Sequence, residues 1–170
     1  MRLNKRLLAL AASLAASQSI HAGTTTANLG VTTTVNSTCV VSTTTVAFGV
    51  YNPASASNTD STGAVSVQCT STTTYTVALD AGSNPGTAGN VNTRQMLAGA
   101  SNLLPYQLYL DSARSTVWGN GTSGSLNPTS GTFTGNGSAQ SYTVYGRITP
   151  GQYVAPGSYV DTVVATVSYT

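Results

Sequence analysis

Apolar and polar side chains alternate along much of this chain with the two-residue period of β-strands. The first alternating stretch is 27–35: Ala27, Leu29, Val31, Thr33 and Val35 fall on one side, and Asn28, Gly30, Thr32 and Thr34 on the other. It precedes the first cysteine and has no neighbour within a hairpin's reach, so its apolar face needs a partner in this molecule or in another. The segments Cys39-Val40-Val41 and Val46-Ala47-Phe48 predict a first strand, in two pieces, that ends at Phe48-Gly49-Val50-Tyr51. A Pro/Ala/Ser/Asn loop is predicted over 52–62. Val65, Val67 and Cys69 alternate with Ser66, Gln68 and Thr70, and Tyr75, Val77 and Leu79 with Thr76, Ala78 and Asp80, predicting two further strands.

A Gly/Asn/Pro turn region follows over 81–92, and then Leu104, Tyr106, Leu108 and Leu110 outline another apolar face. Pro105 within it lacks an N–H and suggests an edge or an irregular start. Trp118-Gly119-Asn120-Gly121 reads as a turn, and 123–137 as a Gly/Ser/Asn-rich loop with short strand content around Phe133. Tyr142, Val144 and Ile148 predict a strand broken by Pro150 and Gly151. Val163, Ala165, Val167 and Tyr169 carry the last alternation to Thr170, so the sequence stops on a strand. Thr, Val and Tyr favour strands, and no stretch after residue 22 has helical apolar spacing with caps. Six or seven short strands at regular turn spacing predict an all-β antiparallel sandwich.

The N-terminus reads differently. Arg2, Lys5 and Arg6 precede a short apolar run over 7–16, and Ala22 is a small residue suited to cleavage before Gly23. That is the pattern of a secretory signal peptide over 1–22, and the run is shorter than the ~20 apolar residues a membrane span needs. Cleavage would remove three of the six Lys and Arg and the sole histidine. Arg94, Arg114 and Arg147 would then face Asp60, Asp80, Asp111 and Asp161, and the formal charge would move from +2 to −1. So few cations argue against a nucleic-acid partner. The 148 residues that remain of 170 suit one domain.

Cys39 and Cys69 would enter an oxidising compartment, where two cysteines give one possible disulfide. It closes a loop of about 30 residues and contributes on the order of 3–4 kcal/mol. Without histidine after cleavage, neither a metal site, nor an activated thiol, nor a Ser-His-Asp triad can be built; no enzyme, cofactor or small-molecule substrate is expected. Asp161 and Arg147, near two strand ends, are candidates for an ion pair. Asn36-Ser37-Thr38, Asn120-Gly121-Thr122 and Asn136-Gly137-Ser138 match the N-glycosylation pattern, as an Asn/Ser/Thr-rich chain does by chance. Trp118 and the tyrosines could form a carbohydrate-binding surface, against the plainer reading of core aromatics.

Several motifs occur in a fixed order: Cys39, Phe48-Gly49-Val50-Tyr51, Val67-Gln68-Cys69, Tyr106-Gln107-Leu108-Tyr109, Trp118-Gly119, Tyr145-Gly146-Arg147-Ile148 and Gly157-Ser158-Tyr159-Val160-Asp161-Thr162. Together they resemble the spore coat protein U domain family, whose members include pilins of archaic chaperone–usher pili. The resemblance implies an incomplete immunoglobulin-like sandwich, lacking its final strand and completed by a donor strand. It implies a periplasmic chaperone that lends a strand, and an outer-membrane usher that replaces it with the N-terminal extension of the next subunit. Residues 23–36 would be that extension and 37–170 the pilin domain. By position, Leu29, Val31, Thr33 and Val35 would fill the partner's pockets, with Thr33 a departure from the larger apolar residue expected there. The implied product is a head-to-tail filament of this or related pilins on the cell surface, for adhesion or biofilm formation. The alternatives are a spore-coat or outer-surface structural protein with the same domain, and a monomeric ligand-binding sandwich in which 27–35 folds back on its own sheet.

Overall fold

The computed structural model describes residues 21–121 and 131–170, so the greater part of the expected signal peptide and of the 123–137 loop lies outside the described residues. The chain divides between Thr34 and Val35 into two units. In the first, residues 21–34 form no strand and are exposed throughout. The alternation of 27–35 is thus not realised as a strand in the single chain. A strand without a partner leaves its backbone donors and acceptors to water and gains no ladder.

The second unit is built from nine strands among the described residues: β1 (Cys39–Thr44), β2 (Thr59–Cys69), β3 (Thr74–Leu79), β4 (Gln95–Ala98), β5 (Asn102–Pro105), β6 (Gln107–Tyr109), β7 (Phe133–Thr134), β8 (Gln140–Ile148) and β9 (Ala165–Tyr169). All pairings are antiparallel. One sheet has the order β1-β2-β8-β6, the second β7-β3-β9, and β4-β5 form a two-stranded ribbon. The two larger sheets face each other over Val65, Val67, Cys69, Val144 and Ile148 on one side and Tyr75, Val77 and Leu79 on the other. Leu104, Tyr106, Leu108 and Trp118 complete this core.

The register explains why the end of the sandwich near residue 69 is shut. Cys39 lies opposite Cys69, and the two form the disulfide. Nearby, Phe133 stacks on Tyr142 with ring centroids 4.2 Å apart, and Tyr75 meets both rings. The Tyr75 and Tyr142 hydroxyls are 2.6 Å apart, so the two polar tips satisfy each other. Trp118 is a core residue, 1 % exposed, whose indole N–H donates to Val77 O across the core. It is therefore not part of a surface, carbohydrate-binding or otherwise.

Three local expectations need correction. β2 begins at Thr59, inside the predicted 52–62 loop, because Thr59, Asp60, Ser61 and Thr62 pair with 145–148 of β8. The single face predicted over 104–110 is two strands: β5 pairs β4, and β6 crosses to pair β8. β4 itself has no alternation strong enough to be seen in sequence. Arg147 does not meet Asp161; it is opposite Asp60 in the ladder and forks onto that carboxylate at 2.8 and 2.9 Å. The bond from Arg147 holds the Asp60 carboxyl below the usual range.

Candidate functional site

β1 ends at Thr44, but the chain continues along the same sheet without hydrogen-bonded pairing over 45–51. Val46, Phe48 and Tyr51 turn inward and are only half-buried, whereas Ala47, Gly49 and Val50 face out. The backbone can lie this low because two glycines lie beneath it. A Cβ on Gly63 would come 2.8 Å from Val46 Cγ2, and one on Gly146 would come 2.6 Å from Val46 Cγ1 and 2.8 Å from Phe48 Cζ. Any larger residue at either position would push this segment off the sheet. The Ser61 hydroxyl tethers it by donating to Ala47 O at 2.6 Å, and Tyr51 closes its end by donating to Thr149 O and accepting from Gln152 N–H.

Facing this segment across a gap is the run that leads into β9. Val154, Tyr159, Val163 and Ala165 point inward and are half-buried; Val160 and Val164 point out, 66 % and 53 % exposed. The run is held from behind. Leu97 and Val160 exchange two backbone hydrogen bonds, 2.8 and 3.1 Å long. Asp80 N–H donates to Val164 O, and Val164 N–H donates to the Asp80 carboxylate. Asp161 accepts from the Tyr106 hydroxyl at 2.7 Å and from Ser83 N–H at 2.9 Å. Burial, followed by this bond to Asp161, raises the Tyr106 hydroxyl well above its ordinary value, so it remains a neutral donor.

Behind Asp80 lies Arg94, which is fully buried. Its guanidinium donates to the carbonyls of Asp80, Leu79 and Trp118. Burial lowers it to about 10, which still leaves it charged at neutral pH. Sequence reading missed Arg94, Asp80 and Tyr106 as the frame of this wall; only the order of motifs around Tyr106 and Asp161 singled out the segments that carry it.

Between the two walls runs an open groove of about 1020 Å³. Its floor is core: Val65, Leu79, Leu104, Leu108, Val144 and Ile148 all line it. β9 pairs with β3 on one side, and its other edge faces the gap. β1 is likewise the edge of its sheet. The site is therefore a largely apolar groove that opens at the ends of two edge strands, β1 and β9. Its chemistry is strand binding: main-chain hydrogen bonds along the edges and apolar side chains onto the floor at every second position.

The residues named from sequence fall on both sides of this geometry. Cys39 and Cys69 are joined as expected. Leu29, Val31 and Val35 are 88, 87 and 78 % exposed, and Thr33 is exposed as well. Ala22 and Gly23 lie in exposed chain without regular structure.

The Spore Coat Protein U domain matches residues 25–166, which takes in both walls of the groove and the alternating segment. The chain belongs to this family. Within it, Protein U of Myxococcus xanthus is 41 % identical over 171 residues, covering 94 % of this chain and 93 % of its own. Among solved structures, the chain is similar to one in the crystal structure of the CsuC-CsuE chaperone-tip adhesion subunit pre-assembly complex from archaic chaperone-usher Csu pili of Acinetobacter baumannii. That match has a TM-score of 0.54 at 23 % identity, and it covers 79 % of this chain but only 40 % of the other. The likeness is one of fold, an immunoglobulin-like antiparallel β-sandwich.

Proposed function

We propose that the protein is an exported fimbrial subunit that polymerises by donor-strand exchange. The observation that carries this reading is the apolar groove between 45–51 and 154–165, which opens beside the edge strands β1 and β9. The segment 27–35 of a second copy has the alternation such a groove takes. Leu29, Val31 and Val35 contribute roughly 1.5–3 kcal/mol each on burial, and pairing of the bare edges adds to this. Because the donor segment of one copy enters the groove of the next, the contact is head-to-tail and does not close, which yields a filament.

In this reading residues 1–22 are a signal peptide cleaved between Ala22 and Gly23, 23–36 the donor extension and 37–170 the acceptor domain. A periplasmic chaperone occupies the groove before assembly and an outer-membrane usher exchanges it. The filament serves adhesion or biofilm formation at the cell surface. Support comes from family membership and from a fold shared with a chain of a chaperone–subunit complex.

Deletion of residues 23–35 is the test. Cell-surface material from the wild type, run on a gel without boiling, is expected to give a ladder of multimers that collapses on heating, and the deletion is expected to remove it. Filaments that persist without residues 23–35 overturn the reading. The 41 % identity to Protein U along nearly the whole chain favours a second reading, an outer-surface or spore-coat structural protein with the same domain. Genes for a chaperone and an usher beside this one distinguish the pilus from the coat.

A further inference from the structure

The end of the sandwich opposite the disulfide carries two uncharged loops, 49–54 and 149–156, that are locked to each other. The Tyr51 hydroxyl donates to Thr149 O and accepts from Gln152 N–H, and Gly151 N–H donates to Pro53 O. The first loop is also closed internally, since Ala54 N–H donates to Asn52 Oδ1 and Ser55 N–H to Asn52 O. Loops fixed in this way nevertheless hold two apolar side chains out in solvent. Val50 is 94 % exposed and Tyr153 78 %, the highest values among the described large apolar residues from Cys39 onward. Apolar side chains presented on a rigid loop mark contact with another molecule. Val50, Tyr51, Pro53, Gln152 and Val154 also line the groove, so this end is its mouth.

Chain direction decides what comes to the mouth. The run 154–165 leads away from it into β9, which ends at the shut end with Tyr169 opposite Tyr75. A donor strand antiparallel to this run, the pairing used by every ladder described above, travels the other way and puts Val35 at the mouth. The fold of the donor copy resumes almost at once. Its Thr38 N–H donates to Thr70 Oγ1, Thr70 N–H donates to Thr38 O, and Cys39 is bonded to Cys69. Val35 and Thr38 are three residue steps apart, at most about 11 Å. The shut end of the donor copy therefore stands within that reach of the acceptor's mouth.

Around Thr38 the shut end presents the turns 70–73 and 135–138. They are tied together, because Thr72 N–H donates to Gly135 O and Gly135 N–H to Thr73 O, and Gly137 N–H donates to Cys69 O. Ser71, Thr72, Asn136, Gly137 and Ser138 are exposed. Neither end carries a charge over 49–58, 149–158, 36–38, 70–74 or 134–138, so no like charges oppose their approach. Threonine methyls and glycine backbone give the turns a surface on which a valine and a tyrosine can pack.

We propose that a second copy of this chain covers the mouth: Val50 and Tyr153 of the acceptor pack on the turns 70–73 and 135–138 of the copy whose strand fills the groove. The inference rests on the donor-strand reading and adds a body-to-body contact to it. That contact fixes the angle between successive copies, so the filament resists bending although only a short linker joins its domains.

A photo-cross-linker in the full chain, exported and assembled by cells, tests it: Tyr153→p-benzoylphenylalanine, with Val50→p-benzoylphenylalanine as the second variant should the first not assemble. Irradiation is expected to convert the heat-labile ladder into one that survives heating, with the cross-linked peptide on 70–73 or 135–138. Within one chain those turns are out of reach, because the 11 residues of β2 hold the two ends about 33 Å apart. Val50→Ser with Tyr153→Ser is expected to keep the heat-labile ladder and to shorten the persistence length of filaments in electron micrographs. A heat-labile ladder with no cross-link, a cross-link that maps elsewhere, or filaments of unchanged stiffness overturns the contact and leaves donor-strand exchange standing. Absence of the ladder from the wild type overturns both.

Discussion

The two ends of this sandwich are built from the same strands and finished differently. At the end near Cys69, β1 is tied to β2 by the disulfide, and Tyr75, Tyr142 and Phe133 interlock over the core. Tyr75 and Val77 there are at most 1 % exposed. Toward the other end β1 loses its ladder after Thr44, the run into β9 stands opposite it, and the side chains between them stay half-buried. The covered end holds the fold together, whereas the uncovered end keeps core surface and strand edges available. The open wall is nevertheless rigidly backed, since Asp80, Leu97 and Tyr106 hold 160–164 from behind. Such a groove is preorganised, so an incoming strand does not have to order it.

Substitutions at the two ends should separate stability from assembly. The largest effect is expected at the shut end. Tyr75→Ala empties a site 1 % exposed and strips the hydroxyl partner from Tyr142, and it should lower stability by about 3–5 kcal/mol. Removing the disulfide with Cys39→Ser and Cys69→Ser together should cost on the order of 3–4 kcal/mol. Both are read by chemical denaturation of the purified chain, and both should reduce the yield of secreted protein.

Effects at the open end should be smaller in stability and larger in assembly. Gly146→Val drives a side chain into Val46 and Phe48, and overpacking of this kind costs about 1–3 kcal/mol. Because it displaces one groove wall, multimer formation should fall further than that loss implies. Asp161→Asn weakens the bond from Tyr106 and the one from Ser83 N–H, at about 1–2 kcal/mol, and should slow strand uptake. An Asp161→Asn chain that assembles at the wild-type rate would show that the wall needs no backing.

The smallest effect is electrostatic. Arg147 holds Asp60 below its ordinary value of 3.8, so the pair contributes fully above that value and the contribution disappears as pH falls through the lowered one. Asp60 is largely solvated, and exposed pairs are weak. Asp60→Asn should therefore leave stability at pH 7 nearly unchanged and flatten its decline only in strong acid, measured by thermal melts across pH.

Much of this contrast was legible in the sequence. Strands β2, β3, β8 and β9 each bury alternate residues, and the two-residue period finds them directly. The placement of Cys69 on an inward face was enough to bring it to Cys39. What escaped was everything set by pairing rather than by pattern. Thr59 to Thr62 are polar and small, and only β8 opposite makes them a strand. Gln95 to Ala98 are too few to show a period. Tyr106 sits where the chain leaves one sheet for another, so a continuous apolar face conceals a break. Arg147 found Asp60 because register, not proximity to a strand end, decides which charges meet. Arg94 is buried by carbonyls from three residues distant in sequence, for which no local signal exists.

The central claim is that the open end is finished by the segment 27–35 of another copy. It is tested most directly by a cysteine pair in the full chain, Val31→Cys with Val163→Cys, the native cysteines already being joined to each other. After mild oxidation, heating and electrophoresis without reductant, the account expects a covalent ladder of multimers that reductant collapses and that neither single variant produces. A cross-link confined to the monomer, or no cross-link at all, would contradict it.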